Sequence, residues 1–276
     1  MNPIRVMVNG LPGNMAAKVA GHVDNDSRFD LIPFSLTGAD IPFSEYKLGN
    51  VLIQLIHPDN RDAAIEDIVK KYPGFVLVDY THPSAVNANA VFYAQHNLPF
   101  VMGTTGGNRK NLEDTVASSA TTAVIAPNMA KQIVGLQAML ECGAANFPDL
   151  YKGYSLKVRE SHQNGKADTS GTAKAIISYF NRMGIPFTEK DICKERNPDV
   201  QQKAWGVPEA YISGHGWHTY TLTSEDQTVT FEFTHNVNGR DVYALGTLDA
   251  VVYLHEKISQ GVQGKVYSMI DVLQGI

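Results

Sequence analysis

Cysteine is scarce. Cys142 and Cys193 are the only two in 276 residues, and neither a CxxC nor a Cys/His spacing surrounds them, so a disulfide framework and a zinc site are both unsupported. Neither sits where a base would activate it as a nucleophile, and a reducing compartment is the expectation. Positive charge is not in excess: 23 basic side chains face 28 acidic ones, for a net charge of −5, and no run of Lys or Arg builds the field that nucleic acid or an anionic membrane needs. No apolar run approaches the roughly 18 residues required to span a bilayer. Repeats and low-complexity tracts are also missing. The strand-like IRVMV follows Met1 almost at once, which reads as no leader and a cytoplasmic location, or the plastid stroma if a leader has been removed.

What is present is 43% apolar residues, enough to bury two domains or one large one. Through the first half, short β-branched runs alternate with helix-periodic segments. Strands are expected at Ile4–Asn9, Phe29–Ser35, Val51–Ile56, Phe75–Asp79, Phe100–Met102 and Thr122–Ala126. Helices fit between them: one around Met15, Val19 and Val23, then Ala63–Tyr72, Ser84–His96 and Asn108–Ser119. That βαβ series predicts an α/β, Rossmann-like doubly wound parallel sheet. After Asn128 the rhythm changes to a long helix (Gln132–Phe147), a strand (Tyr154–Ser161), a helix (Gly171–Met183) and alternating strands at Trp217–Thr223 and Thr228–His235, an α+β arrangement with an open mixed sheet. Gly246–Gln260 and Val266–Leu273 are helical in period. The division expected is residues 1–130 with 241–276, and residues 131–240.

Several motifs carry chemistry. GLPGNM (Gly10, Leu11, Pro12, Gly13, Asn14, Met15) lies between a strand and a helix, where glycines let a pyrophosphate approach free N–H groups; a plain strand-to-helix turn is the alternative. The next strand ends in Ser35-Leu36-Thr37, with no carboxylate to repel a 2′-phosphate and two hydroxyls to meet one, which favours NADPH with NADH possible, unless both merely end a strand. Thr81 in VDYTHP, Gly103, Thr104 and Thr105 in GTTGG, and Ala126, Pro127, Asn128 and Met129 in IAPNM all follow strands at the edge where a dinucleotide crevice opens. ESHQNGKADTSGTA (160–173) sets His162 and Lys166 before Ser170-Gly171-Thr172, a helix start that offers N–H groups and partial positive charge to a carboxylate. A surface His and Lys with a serine cap is the other meaning. GHGWH holds His215 and His218 at i and i+3, with no third ligand at usable spacing, so packing or a substrate-facing role is favoured over metal. HNVNGRD, with Asn236, Arg240 and Asp241, reads as a β-turn.

These stretches together resemble the dihydrodipicolinate reductase family. ESHQNGKADTSGTA is similar to its E-x-H-H-x-x-K-x-D-x-P-S-G-T-A signature, GLPGNM to its dinucleotide loop, VDYTHP to its D-F-T-x-P, and GTTG and APNM to its nicotinamide loops. Gln163 stands in place of the second histidine, Ala16 in place of a glycine, and the proline before Ser-Gly-Thr is missing; with SGHGWHTYTL and TFEFTHNVNGR these departures resemble the plant and cyanobacteria-related branch. The resemblance implies reduction of 4-hydroxy-tetrahydrodipicolinate to tetrahydrodipicolinate in the diaminopimelate route to lysine. It implies hydride transfer from nicotinamide C4 to substrate C4 and a proton from Lys166. His162 would bind or polarise the substrate, and Gln163, Lys166, Ser170, Gly171 and Thr172 would hold the cyclic dicarboxylate. It further implies closure about hinges near Asn128 and Arg240, and a homo-oligomer, a dimer rather than a tetramer. Two rivals remain. An aspartate-semialdehyde dehydrogenase-like enzyme needs a cysteine nucleophile that is lacking, and a cofactor-binding sensor without turnover has no use for His162 and Lys166 together.

Overall fold

The computed structural model describes residues 2–166 and 168–275. They form two compact units, Met1–Lys131 with Asp241–Ile276, and Gln132–Arg240.

In the first unit, β1 (Ile4–Asn9) is buried from Val6 onward, as a parallel strand covered on both faces must be. The chain turns at Gly10 into α1 (Asn14–Asp24), whose Ala16, Val19, Ala20 and Val23 recur at helical spacing and are buried. β2 (Phe29–Leu31) pairs parallel with β1. The strand expected to run on to Ser35 stops there, because Pro33 has no N–H for a ladder. Phe34–Leu36 instead forms β3, which leaves the main sheet and joins β4 (Glu45–Leu48) and β5 (Val51–Ile56) in a small sheet ordered β3-β5-β4. Next come α2 (Arg61–Lys71), β6 (Val76–Asp79), α3 (Val86–Gln95), β7 (Phe100–Met102), α4 (Arg109–Ala117) and β8 (Ala123–Ile125). The core gathers Met7, Ile65, Leu77, Phe92, Tyr93 and Phe100. Burial of such side chains contributes about 1.5–3 kcal/mol each, so α3 is held by its buried Val86, Phe92 and Tyr93 more than by propensity.

The second unit contains α5 (Lys131–Asn146), which begins at the boundary, then β9 (Ser155–His162), α6 (Gly171–Arg182), β10 (Cys193–Glu195), α7 (Pro198–Lys203), β11 (His215–Thr223) and β12 (Thr230–Asn238). Its sheet runs β10-β9-β11-β12, parallel at the first pair and antiparallel at the other two, an open mixed sheet as expected. Alternation puts His218, Tyr220 and Leu222 of β11 on the covered face with Val158, and α6 closes over them with Ile176, Ile177 and Phe180.

The chain then returns to the first unit through α8 (Asp241–Ser259), β13 (Val266–Tyr267) and α9 (Met269–Gln274). Here the structure corrects three expectations. α8 starts at Asp241, not Gly246. Residues 266–273 are not one helix: Val266 and Tyr267 pair parallel with β8 as a sixth strand, giving the order β13-β8-β7-β6-β1-β2, and a Ser268–Asp271 capping box starts α9. HNVNGRD is not a turn throughout, since Asn236 lies within β12 and Asp241 opens α8. Gly246 permits the close approach of α8 to the loop after β8, where a Cβ would overlap the Met129 carbonyl.

Candidate active site

The loops after β1, β6, β7 and β8 leave adjacent strands at one carboxyl edge, the place where open parallel sheets bind ligands. Gly10 adopts φ +103°, and a Cβ there would collide with the Tyr80 carbonyl. Gly13 and Asn14 are exposed, Pro12 and Met15 partly so, while Leu11 is buried. The N-cap of α1 is Gly13, with no side-chain cap, so the first turn offers bare N–H groups and dipole to an anion. That loop fits a pyrophosphate.

A buried carboxylate ties the neighbouring loops together. Asp79, fully buried at the end of β6, accepts from Tyr93 Oη at 2.7 Å, Asn89 Nδ2 at 3.0 Å, Thr104 Oγ1 at 2.8 Å, and the Oγ1 and backbone N of Thr81 at 2.8 and 3.0 Å. Asn9 extends the network, donating to Tyr93 Oη and accepting from the Leu36 N–H. Burial and the Asp79 carboxylate push the Tyr93 phenol well up, so it stays a donor. Thr81 and Thr104 are therefore struts of this network, with Gly103 half-buried and Thr105 exposed beside them. Tyr80 Oη meets Thr247 Oγ1 at 2.7 Å, fastening the same loop to α8. In the loop after β8, Ala126 and Met129 are buried, Pro127 is exposed, and Asn128 Oδ1 accepts from the Ala130 N–H.

Ser35 and Thr37 turn their hydroxyls inward. Ser35 is fully buried and its Oγ accepts from the Leu11 N–H, while Thr37 Oγ1 donates to the Leu11 carbonyl at 2.7 Å. Both hydroxyls brace the glycine loop from behind, which corrects the expectation that they would meet a 2′-phosphate.

In the second unit, His162 ends β9, Gln163 and Lys166 lie in the loop that follows, and Ser170, Gly171 and Thr172 open α6. Ser170 occupies the N-cap position, yet its side chain makes no cap hydrogen bond; Gly171 is exposed and Thr172 partly so. A 12-residue helix thus begins with uncapped N–H groups, which suits a carboxylate. The loop is gripped from below. Glu160, fully buried, pairs with Arg196 Nη2 and accepts from the Ser170 N–H at 3.4 Å. Arg196 also donates through Nε to the Lys166 carbonyl at 3.0 Å, and Gln201 Nε2 donates to the His162 carbonyl at 2.7 Å. Lys166 Nζ lies 3.0 Å from Asp168, a strongly exposed carboxylate whose acidity that ammonium increases.

His218 meets this group because it sits opposite Glu160 in the β9–β11 register. Its Nε2 is 3.3 Å from Nε2 of His162 and 3.8 Å from Glu160 Oε2, and these three ligand atoms lie within 4.8 Å of one another. The trio has metal-ligand chemistry, but its carboxylate is already paired with Arg196, and the Arg196 and Lys166 cations beside it oppose another positive charge. Hydrogen bonding between the imidazoles is the use that the geometry favours. Arg196, Gln201, Glu160 and Asp79 were not singled out by sequence. A carboxylate closing the apolar strand VLVD was a readable signal for Asp79, whereas Arg196 left none.

Residues 4–129 match the family described as dihydrodipicolinate reductase, N-terminus, and residues 133–273 its C-terminus. A rice protein named probable 4-hydroxy-tetrahydrodipicolinate reductase 1, chloroplastic, is 45% identical over 98% of this chain and 78% of its own. The Arabidopsis thaliana 4-hydroxy-tetrahydrodipicolinate reductase 1, chloroplastic, is 44% identical over 99% and 78%. Among solved structures, a dipicolinate-bound dihydrodipicolinate reductase from Paenisporosarcina sp. TG-14 shares the fold with a TM-score of 0.66 at 19% identity, covering 96% of this chain and 97% of that one. With a buried carboxylate network behind one set of loops and a lysine set before an uncapped helix in the other unit, the chain belongs to the dihydrodipicolinate reductase family.

Proposed function

We propose that the chain reduces 4-hydroxy-tetrahydrodipicolinate to tetrahydrodipicolinate with NADPH or NADH, in the diaminopimelate route to lysine. The observation that carries this reading is the loop where Lys166 stands just ahead of the uncapped start of α6, held there by Glu160 and Arg196. Family membership supplies the substrate class. Loss of the 4-hydroxyl as water leaves a dihydropyridine dicarboxylate, and a bound nicotinamide would supply hydride to C4 of that ring.

The chain's own residues do the rest. Gly10 to Met15 take the pyrophosphate on backbone N–H groups, and the loops at Thr81, Gly103–Thr105 and Ala126–Met129 hold the nicotinamide end. Ser170, Gly171 and Thr172 receive a substrate carboxylate, with Lys166 adding its full charge and Gln163 a neutral contact. Lys166 delivers a proton to the carbon left carbanionic, and Asp168 at 3.0 Å holds its ammonium in the loop beforehand. The rate enhancement is electrostatic preorganisation, since no residue forms a covalent intermediate. The lack of a carboxylate at residues 35–37 supports NADPH, and with Ser35 and Thr37 turned inward that strand end discriminates weakly, so NADH is used as well. The chloroplastic relatives support a plastid location, with the cytoplasm as the alternative, and a dimer formed through the sheet of the second unit completes the reading.

The test is NADPH oxidation with freshly generated 4-hydroxy-tetrahydrodipicolinate, comparing wild type with Lys166→Ala and checking that both bind cofactor. Turnover by wild type and a loss of about 10²–10⁴ in rate with intact NADPH binding are expected. Wild type that binds NADPH but leaves this substrate untouched would overturn the reading and favour a cofactor sensor.

A further inference from the structure

The hydrogens between His162 and His218 are fixed by their partners. Nδ1 of His162 faces the His215 carbonyl at 3.1 Å, and a carbonyl only accepts, so that nitrogen carries the hydrogen. In a neutral ring Nε2 is then a lone pair. The hydrogen spanning the 3.3 Å to His218 must therefore belong to Nε2 of His218, which leaves its Nδ1 bare, and that atom is indeed buried with no hydrogen-bond partner. The surroundings keep both rings neutral. Burial lowers His162 to about 4, with Arg196 and Lys166 adding to the effect and Glu160 opposing it. Burial lowers His218 well below its ordinary value, helped by His235, His162, Arg196 and Lys166. On its other side His218 stacks on His235 at 4.6 Å and on Tyr220 at 6.4 Å, and neither those stacked rings nor Glu160 offers its Nδ1 a hydrogen.

We propose that His218 is a positioning residue of the reaction: its Nε2–H donates to His162, locks that ring as the Nδ1–H tautomer and occupies its one basic nitrogen. The inference rests on residues 160–172 being the substrate site. Its consequence is a division of labour. With its one lone pair committed to His218 and its ring kept neutral by burial, His162 has no free site at which to take up a proton. His162 then orients and shapes the site while Lys166 alone carries the transferable proton.

The test compares His218→Gln, whose amide can still donate from the same place, with His218→Leu, which cannot. Expected for Gln is a kcat within about three-fold of wild type, and for Leu a loss of about ten-fold or more with the KM for NADPH unchanged. Long-range ¹H–¹⁵N spectra should show His162 as Nδ1–H in wild type and Gln, and a tautomer mixture in Leu. A wild-type spectrum with the hydrogen on Nε2 of His162 overturns the proposal, as does a Leu variant with wild-type kcat and tautomer. If Leu fails to fold, the wild-type and Gln spectra decide. Absence of turnover in wild type would instead sink the functional reading, and the spectra would still report the tautomer.

Discussion

Replacing Asp79 by Asn keeps its volume and removes one acceptor. One oxygen of Asp79 takes the Thr81 and Thr104 donors, and the other takes Tyr93 Oη and Asn89 Nδ2. An amide oriented to satisfy the threonines turns its NH₂ toward two groups that also donate. Two buried hydrogen bonds are lost with their donors left unpaired, at about 1–3 kcal/mol each, so a loss of about 2–5 kcal/mol is expected, short of additivity. Asp79→Ala removes the carboxylate from all of these donors, leaving Thr104 Oγ1 only the backbone carbonyl of residue 79 and Asn89 Nδ2 only Thr81 Oγ1, and should cost more, a large share of the 5–15 kcal/mol that holds a typical domain. The function should fail alongside stability, since Thr81 and Thr104 carry two of the loops assigned to the nicotinamide. Urea unfolding would report the first effect and NADPH titration the second, with affinity expected to fall about ten-fold or more as loop order is lost. An Asn variant within 0.5 kcal/mol of wild type and with unchanged NADPH affinity would refute the idea that this carboxylate organises the edge.

Arg196→Met leaves the buried Glu160 carboxylate without its cation and should destabilise the second unit by about 3–5 kcal/mol, whereas adding Glu160→Gln should recover part of the loss; a cycle showing no coupling would count against the pair. Acid should weaken the fold through its histidines. His162 and His235 fall to about 4 in the folded chain against an ordinary 6.5, both through burial first. Above pH 6.5 both states leave them neutral and nothing is lost. Between 6.5 and 4 the unfolded chain takes up protons that the folded chain refuses, so stability declines as pH falls through that window and levels off below it. Urea midpoints followed across that range should slope less steeply in His235→Phe, and an unaltered slope would contradict the assignment.

The alternating strands and helices were legible because each strand of the main sheet is a short apolar run and each helix carries its own stripe. What escaped was set by single residues or by distant pairing. Pro33 divided an apparent strand in two and sent β3 to a different sheet. Val266 and Tyr267 are too few to show a period, and only pairing with β8 makes them a strand. Lys166, His162 and the start of α6 could be read because they fall within one short stretch. Arg196 could not, and His218, though visible in GHGWH, could not be placed beside them, since the two reach Glu160 from 36 and 58 residues away, by β10 lying along β9 and by the β9–β11 register. Ser35 and Thr37 had the right chemistry on the wrong face: hydroxyl donors at a strand end look alike whether they meet a ligand or the loop behind it.

The path of the chain through its two units sets an order of assembly during synthesis. Residues 132–240 leave the ribosome after β8 and before Asp241, so the first unit waits through 109 residues before α8 and β13 arrive. At ~5–20 residues per second that interval is roughly 5–20 s. Throughout it, the free edge of β8 and the seat of α8 beside Met129 stand open, and by its end the inserted unit has every strand of its sheet. The second unit, proposed to hold substrate, is thus complete before the first, proposed to hold cofactor, and a cell making this protein must shelter an unfinished parallel sheet until its final strand is translated.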